Sequence, residues 1–200
     1  MTPATVVQFW FGEQPSGISD RVYQKRWFAG GPSFDRKIVS RFGNLLEQAL
    51  AGELDDWVDQ RSGRLALVLL LDQFTRNAYR REQRAFAGDL KARGLVLDGL
   101  ARGADKELTL SERLFFYLPL EHAEDLACQC LSVSCFESLA GEFPAAHRFM
   151  GEQALDYARR HLDIIHRFGR FPHRNAILGR ADTEQEARWL AEGGERFGQG

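Results

Sequence analysis

The stretch LALVLLLDQFTRN, residues 65–77, decides the fold. Its first seven residues are apolar on every side, which is the pattern of a helix surrounded by other elements rather than one lying at the surface. Seven residues are far too few for a membrane span, which needs roughly 20. The run then turns polar at once, and Asp72, Gln73, Arg76 and Asn77 therefore start from the core.

Outward from this centre the chain reads as helix after helix, with almost no strand alternation. Upstream, TPATVVQFW opens with Pro3 in a first turn, and SDRVYQKRWF follows the cap candidate Ser19. A third helix spans Ser33 to Ala51, with Phe34, Ile38, Phe42, Leu45, Leu46 and Leu50 on one face and Gly52 as its stop. Downstream, residues 83–101 form a helix ended by Gly103. Thr109 and Glu112 make a capping box ahead of RLFFYL. Pro119 then predicts a break or kink before a long helix through about Leu139.

Pro144 starts a new segment, and Leu155, Ala158, Leu162, Ile165 and Phe168 form the stripe of a helix that Gly169 ends. Phe171–Pro172 is a turn, and Thr183 with Glu186 caps a last helix carrying Trp189 and Leu190. The glycine-rich tail from about residue 193 to 200 is expected to fray. Eight or nine helices with short connections imply an all-α single domain over residues 1–200, a stack of antiparallel hairpins.

Composition narrows the function classes. With 200 residues and 44% hydrophobic content, the chain buries a core without a disulfide or metal. Cys128, Cys130 and Cys135 are odd in number and suit neither a disulfide framework nor a zinc site, which points to reduced thiols in the cytoplasm. A net charge of -2 and a pI near 6.2 argue against nucleic-acid binding, and nothing argues for a membrane. Composition leaves the oligomeric state open.

Three polar constellations stand out. In the first, Asp72 and Arg76, and Gln73 and Asn77, sit four apart on shared helix faces. In the second, YLPLEHAEDL, Glu121 lies beside Glu124 and Asp125, and His122 beside Asp125. Such crowding can raise a carboxyl pKa and make a general acid or base, or it can bind metal, though the spacing matches no zinc or di-iron pattern. The third, HRFGRFPHRNAILGR at residues 166–180, holds four arginines and two histidines with no acid. His166, Arg170, His173, Arg174 and Asn175 read as a clamp on a phosphate or carboxylate. The alternative is a lock in which the arginines pair with Asp72, Glu121, Glu124 and Asp125.

In order along the chain, FWF, LDQFxRN, LPLxHxED and HxxxIxxFGRFPHRNxxLGR closely resemble the bacterial domain-of-unknown-function family 924. The resemblance covers nearly the whole chain. It implies an all-helical, tetratricopeptide-like superhelix, and it implies motif positions at Asp72, Gln73, Arg76, Asn77, His122, Glu124, Asp125, His166, Arg170, His173, Arg174 and Asn175. It brings no activity and no cofactor. Thr75 stands where the pattern has proline, and Glu121 where it usually has methionine.

Two functions follow. In one, the motifs line a single cavity that binds a small anionic molecule, with Arg76, Arg170 and Arg174 as clamps. A hydrolase-like extension of it would use His122, His166 or His173 with Glu124 as acid and base. In the other, a superhelical groove binds a peptide or protein terminus.

Overall fold

A central rod runs through the molecule because the first seven residues of LALVLLLDQFTRN have no polar face to offer water. In this computed structural model, which describes residues 1–29, 31–60 and 62–197, the rod comprises α4 (Gly63–Val68), a π-helical turn (Leu69–Phe74) and α5 (Thr75–Ala78). Residues 65–71 are all buried. Around it lie α1 (Pro3–Phe11), α2 (Arg21–Ala29), α3 (Gly31–Ala51), α6 (Asp89–Ala101), α7 (Leu110–Glu121), α8 (Leu126–Glu142), α9 (Arg148–Phe168) and α10 (Glu184–Ala191). Short 3-10 turns join several of them, and every regular element among the described residues is helical.

The aromatic FWF segment fastens α1 to the rod. Trp10 and Phe11 are buried, with the Trp10 ring 5.4 Å from both Phe74 and Phe115. Phe42 of α3 closes on Phe74 at 5.2 Å. Such ring pairs add ~0.5–1.5 kcal/mol each beyond the area they bury. The expected α3 stripe is buried at Phe34, Ile38, Phe42, Leu45 and Leu46. On the other side α7 packs on α8 and α8 along α9 as consecutive antiparallel neighbours.

Several boundaries differ from expectation for identifiable reasons. Asp20, not Ser19, caps α2, since its Oδ1 accepts from Val22 N at 3.1 Å. Both capping boxes form as the sequence implies. Pro119, however, does not break its helix: α7 runs on to Glu121, and the break falls at residues 122–125, where the Asp125 side chain accepts from Cys128 N at 2.8 Å and starts α8. Within the tail, Glu195 pairs with Arg160 at 2.7 Å and Phe197 stacks on His161, while residues 198–200 lie outside the described residues. No helix among the described residues is long and apolar enough to cross a membrane.

Candidate functional site

The site begins where the rod changes pitch. In the π-helical turn the Thr75 N–H reaches back to Leu70 O, five residues away, which advances the following side chains relative to an α-helix. A proline at this position, as the resemblance implies, would lack that N–H. Thr75 uses it, and donates its hydroxyl to Leu71 O at 2.9 Å, so the rod continues.

Asp72 is fully buried on this turn and accepts from three neighbours. Gln73 Nε2 lies 2.6 Å from Oδ2, His122 Nδ1 2.7 Å from Oδ1 and Arg76 Nη1 3.1 Å from Oδ1. Burial alone would raise this carboxyl, but Arg76 and His122 outweigh it and hold Asp72 well below the usual carboxylate range. An ionised Asp72 can only accept, so His122 carries its proton on Nδ1. Burial, with Arg76 second, lowers His122 below its ordinary value, so at neutral pH the contact is a hydrogen bond from a neutral ring rather than an ion pair. That leaves Nε2 to meet whatever enters the site.

The segment after the rod supplies a partner that sequence reasoning missed. Gly88 lies against the rod's backbone, where a Cβ would collide with the Leu71 carbonyl. This close approach brings Asp89 onto Arg76, in a fork of 2.8 and 3.0 Å. Phe86 receives both the Arg76 and the Arg174 guanidinium, at 5.6 and 4.9 Å from its ring centre.

The third motif divides between lock and clamp. Arg170 forks onto Glu186 at 2.6 and 2.7 Å, tying the end of α9 to the capping box of α10. Arg180 forks onto Glu124 at 2.6 and 2.8 Å, and Glu124 also accepts Phe171 N at 2.8 Å. Asn175 bridges Arg180 and Asp182. Asn77 and Arg80 both bind Asp35, and Asp125 is an exposed helix cap. These residues hold elements together.

His166 is exposed on α9, and the histidine of that helix that faces the interior is His161, buried against Phe171 and Phe197. The interior histidine therefore lies five residues, about 1.4 helical turns, before His166. His173 is buried too, its ring 5.6 Å from Phe171.

Arg174 differs from the other arginines. It is 4% exposed, lies 4.3 Å over the Phe171 ring and donates Nη1 to His122 O at 2.9 Å. Its nearest carboxylate oxygen, Asp89 Oδ2, is 3.9 Å away and already accepts Arg76 at 3.0 Å. Nε is buried without a partner among the described residues. Burial, with Arg76 second, pulls this guanidinium down to about 10.

Behind His122, Glu121 is a second buried carboxylate. It is buried with Oε1 3.3 Å from His161 Nδ1, and that nitrogen donates to Tyr157 O at 2.8 Å. Burial, then the charge of Asp72, pushes Glu121 up to about 8. Burial keeps His161 well below its ordinary value.

Asp89, Arg93, His122, Glu124 and Arg174 line one cavity of about 270 Å³, floored by apolar side chains including Phe86 and Pro119. Within it Asp89 takes a fork from Arg76 and Glu124 one from Arg180, so Arg93 and Arg174 are the lining cations without a carboxylate fork of their own. Of the expected residues, His122, Glu124 and Arg174 line it, and Asp72, Gln73 and Arg76 stand behind them, joined through the Asp72–His122 and Arg76–Asp89 bonds. Asn77, Asp125, His166 and Arg170 do not. Among the described residues no three His, Cys, Asp or Glu side chains group as a metal site.

A family model, bacterial protein of unknown function (DUF924), matches residues 6–194. A solved structure of a protein of unknown function from Agrobacterium tumefaciens is 36% identical, covers 95% of this chain and 97% of its own, and superposes with a TM-score of 0.78. No curated protein matches the chain.

Proposed function

Because the chain belongs to the bacterial family of unknown function DUF924, membership brings no reaction with it, and we propose from the cavity itself that the protein binds a small anionic molecule at Arg174. The observation that carries this is a buried guanidinium whose nearest carboxylate is 3.9 Å away and already engaged. A buried cation costs several kcal/mol unless something compensates it, and a carboxylate or phosphate between Arg174 and Arg93 would do so. A cavity of about 270 Å³ sits below the range usual for drug-sized ligands. It favours a free small anion over the second reading, the carboxylate terminus of a peptide held in a tetratricopeptide-like groove.

The Asp72–His122 pair extends the reading to a hydrolase-like reaction. Asp72 fixes the tautomer and orientation of a neutral ring, whose Nε2 would take a proton from water attacking the bound anion. Cys128, Cys130 and Cys135 are free thiols, in keeping with a cytoplasmic protein.

Thermal melts in phosphate, sulfate, acetate and citrate test the binding claim. An anion at 100 times its dissociation constant adds about 2.7 kcal/mol, which is roughly 5–11 °C for a chain of this size. The parent should show that shift and Arg174→Gln should lose it, while Arg170→Gln, which breaks the Glu186 lock, should keep it on a lower baseline. No shift with any of these anions, or the same shift in Arg174→Gln, would refute the proposal.

A further inference from the structure

A second cavity, of about 660 Å³, opens between α1, α2 and α3 and shares no lining residue with the first. Its walls include the rings of Phe9, Tyr23 and Phe34 and the cations Arg26, Lys37 and Arg41, and among the described residues no carboxylate lines it. The surrounding sequence is charged out of proportion to the molecule. Residues 21–41 hold Arg21, Lys25, Arg26, Arg36, Lys37 and Arg41 against one acid, Asp35, in a chain whose net charge is -2. That acid is already forked by Arg80, at 2.9 Å from both oxygens, and bound by Asn77.

A run of lysines and arginines is ordinarily a solvated helix face. Here the arginines at the cavity turn onto rings instead of acids: Arg26 lies 4.7 Å over Tyr23, and Arg41 5.3 Å over Phe9. The rings are held in place. Phe9 and Phe34 stack parallel, at 5.8 Å and 6°. Tyr23 lies against Gly12, where any Cβ would strike its ring and where φ is +65°, a conformation other residues adopt only with strain. Aromatic rings fixed in the wall, beside cations that no lining carboxylate among the described residues neutralises, match a ligand with both a planar ring and several negative charges. The volume lies within the range of small-molecule sites.

We propose that this cavity binds a free nucleoside di- or triphosphate, its base against the Phe9, Tyr23 and Phe34 wall and its phosphates on Arg26, Lys37 and Arg41. Inorganic phosphate alone would leave the rings unused, and a nucleoside alone would leave the cations unused.

Isothermal titration with ADP, ATP, adenosine and pyrophosphate separates the parts. ADP and ATP should bind, with adenosine and pyrophosphate each at least about tenfold weaker, since loss of one charged or stacked set removes about 1.4 kcal/mol or more. Lys37→Gln and Arg41→Gln, both exposed and off the core, should each weaken ADP by roughly tenfold while circular dichroism stays unchanged. Tyr23→Ala should weaken ADP more than pyrophosphate. Arg174→Gln should leave ADP binding intact, which keeps this site separate from the first. No heat with ADP at millimolar concentration, or pyrophosphate binding as tightly as ADP, would overturn the proposal. So would tighter binding of a single-stranded oligonucleotide or of phosphatidylserine vesicles, either of which would make the basic face a polymer or lipid surface.

Discussion

Arg174 and Arg180 stand six residues apart in one motif and do opposite work, and the reason lies in their partners. Arg180 and Glu124 neutralise each other through two hydrogen bonds, so Arg180→Gln strands a half-buried carboxylate. That should cost on the order of 2–3 kcal/mol, seen as a drop of roughly 5–10 °C in melting temperature. Arg174 has no such fork, and Arg76 stands nearby with like charge. Arg174→Gln should therefore leave the ligand-free protein equally stable or more so, and a large loss would mean that Arg174 is structural. Nothing in residues 166–180 tells these two arginines apart, because the carboxylates that distinguish them, Glu124 and Asp89, come from 56 and 85 positions upstream. The histidine was more legible. Ala158, His161 and Ile165 share a helix face, and the motif HxxxIxxFGR itself begins at His161, four before Ile165, so the buried partner is readable there and His166 falls off the stripe.

Elements whose ends carry chemistry were readable, and those shaped by contact were not. The Thr109 and Thr183 capping boxes follow from residue types at fixed spacing. Thr109→Ala should cost about 1 kcal/mol by chemical denaturation, and an unchanged midpoint would remove the cap from the account. The π-helical turn leaves no such trace, because seven apolar residues in a row give no phase to read. Asp89 was likewise hidden, since its place depends on the contact between Gly88 and Leu71. Gly88→Ala should push the start of α6 from the rod at a cost of about 1–3 kcal/mol and loosen the Arg76–Asp89 fork, measured as a lower denaturant midpoint. If alanine is accepted at no cost, that contact does not position Asp89. Pro119 was misread for a related reason. The helix tolerates a missing N–H and ends two residues later, and the link it leaves puts His122 against both Asp72 and Arg174.

At the scale of the whole molecule, buried titration couples stability to pH. Glu121, raised from 4.5 to about 8, keeps a proton in the folded chain that the unfolded chain has released. Its contribution is complete below about pH 4.5 and is lost as pH rises through 8. His122 and His161 are lowered by burial and act oppositely, contributing above about pH 6.5 and losing that contribution as pH falls. Between pH 6.5 and 8 the parent should lose about 1.5–2 kcal/mol relative to Glu121→Gln, in which the Glu121 slope is absent. Equal slopes in both proteins would place the proton elsewhere.

The all-helical architecture is written into this chain's sequence, and where Asp72–Arg76, His122–Glu124 and Arg174 meet stands a buried guanidinium without a carboxylate fork of its own, which the account assigns to an anion. A crystal grown or soaked in selenate tests that claim most directly, because selenium can be located by anomalous scattering. The account predicts one strong peak in the cavity, within hydrogen-bonding distance of the Arg174 guanidinium and on the side facing Arg93. A cavity empty of selenate, with the Arg174 Nε instead bonded to a protein carboxylate or carbonyl, would contradict it.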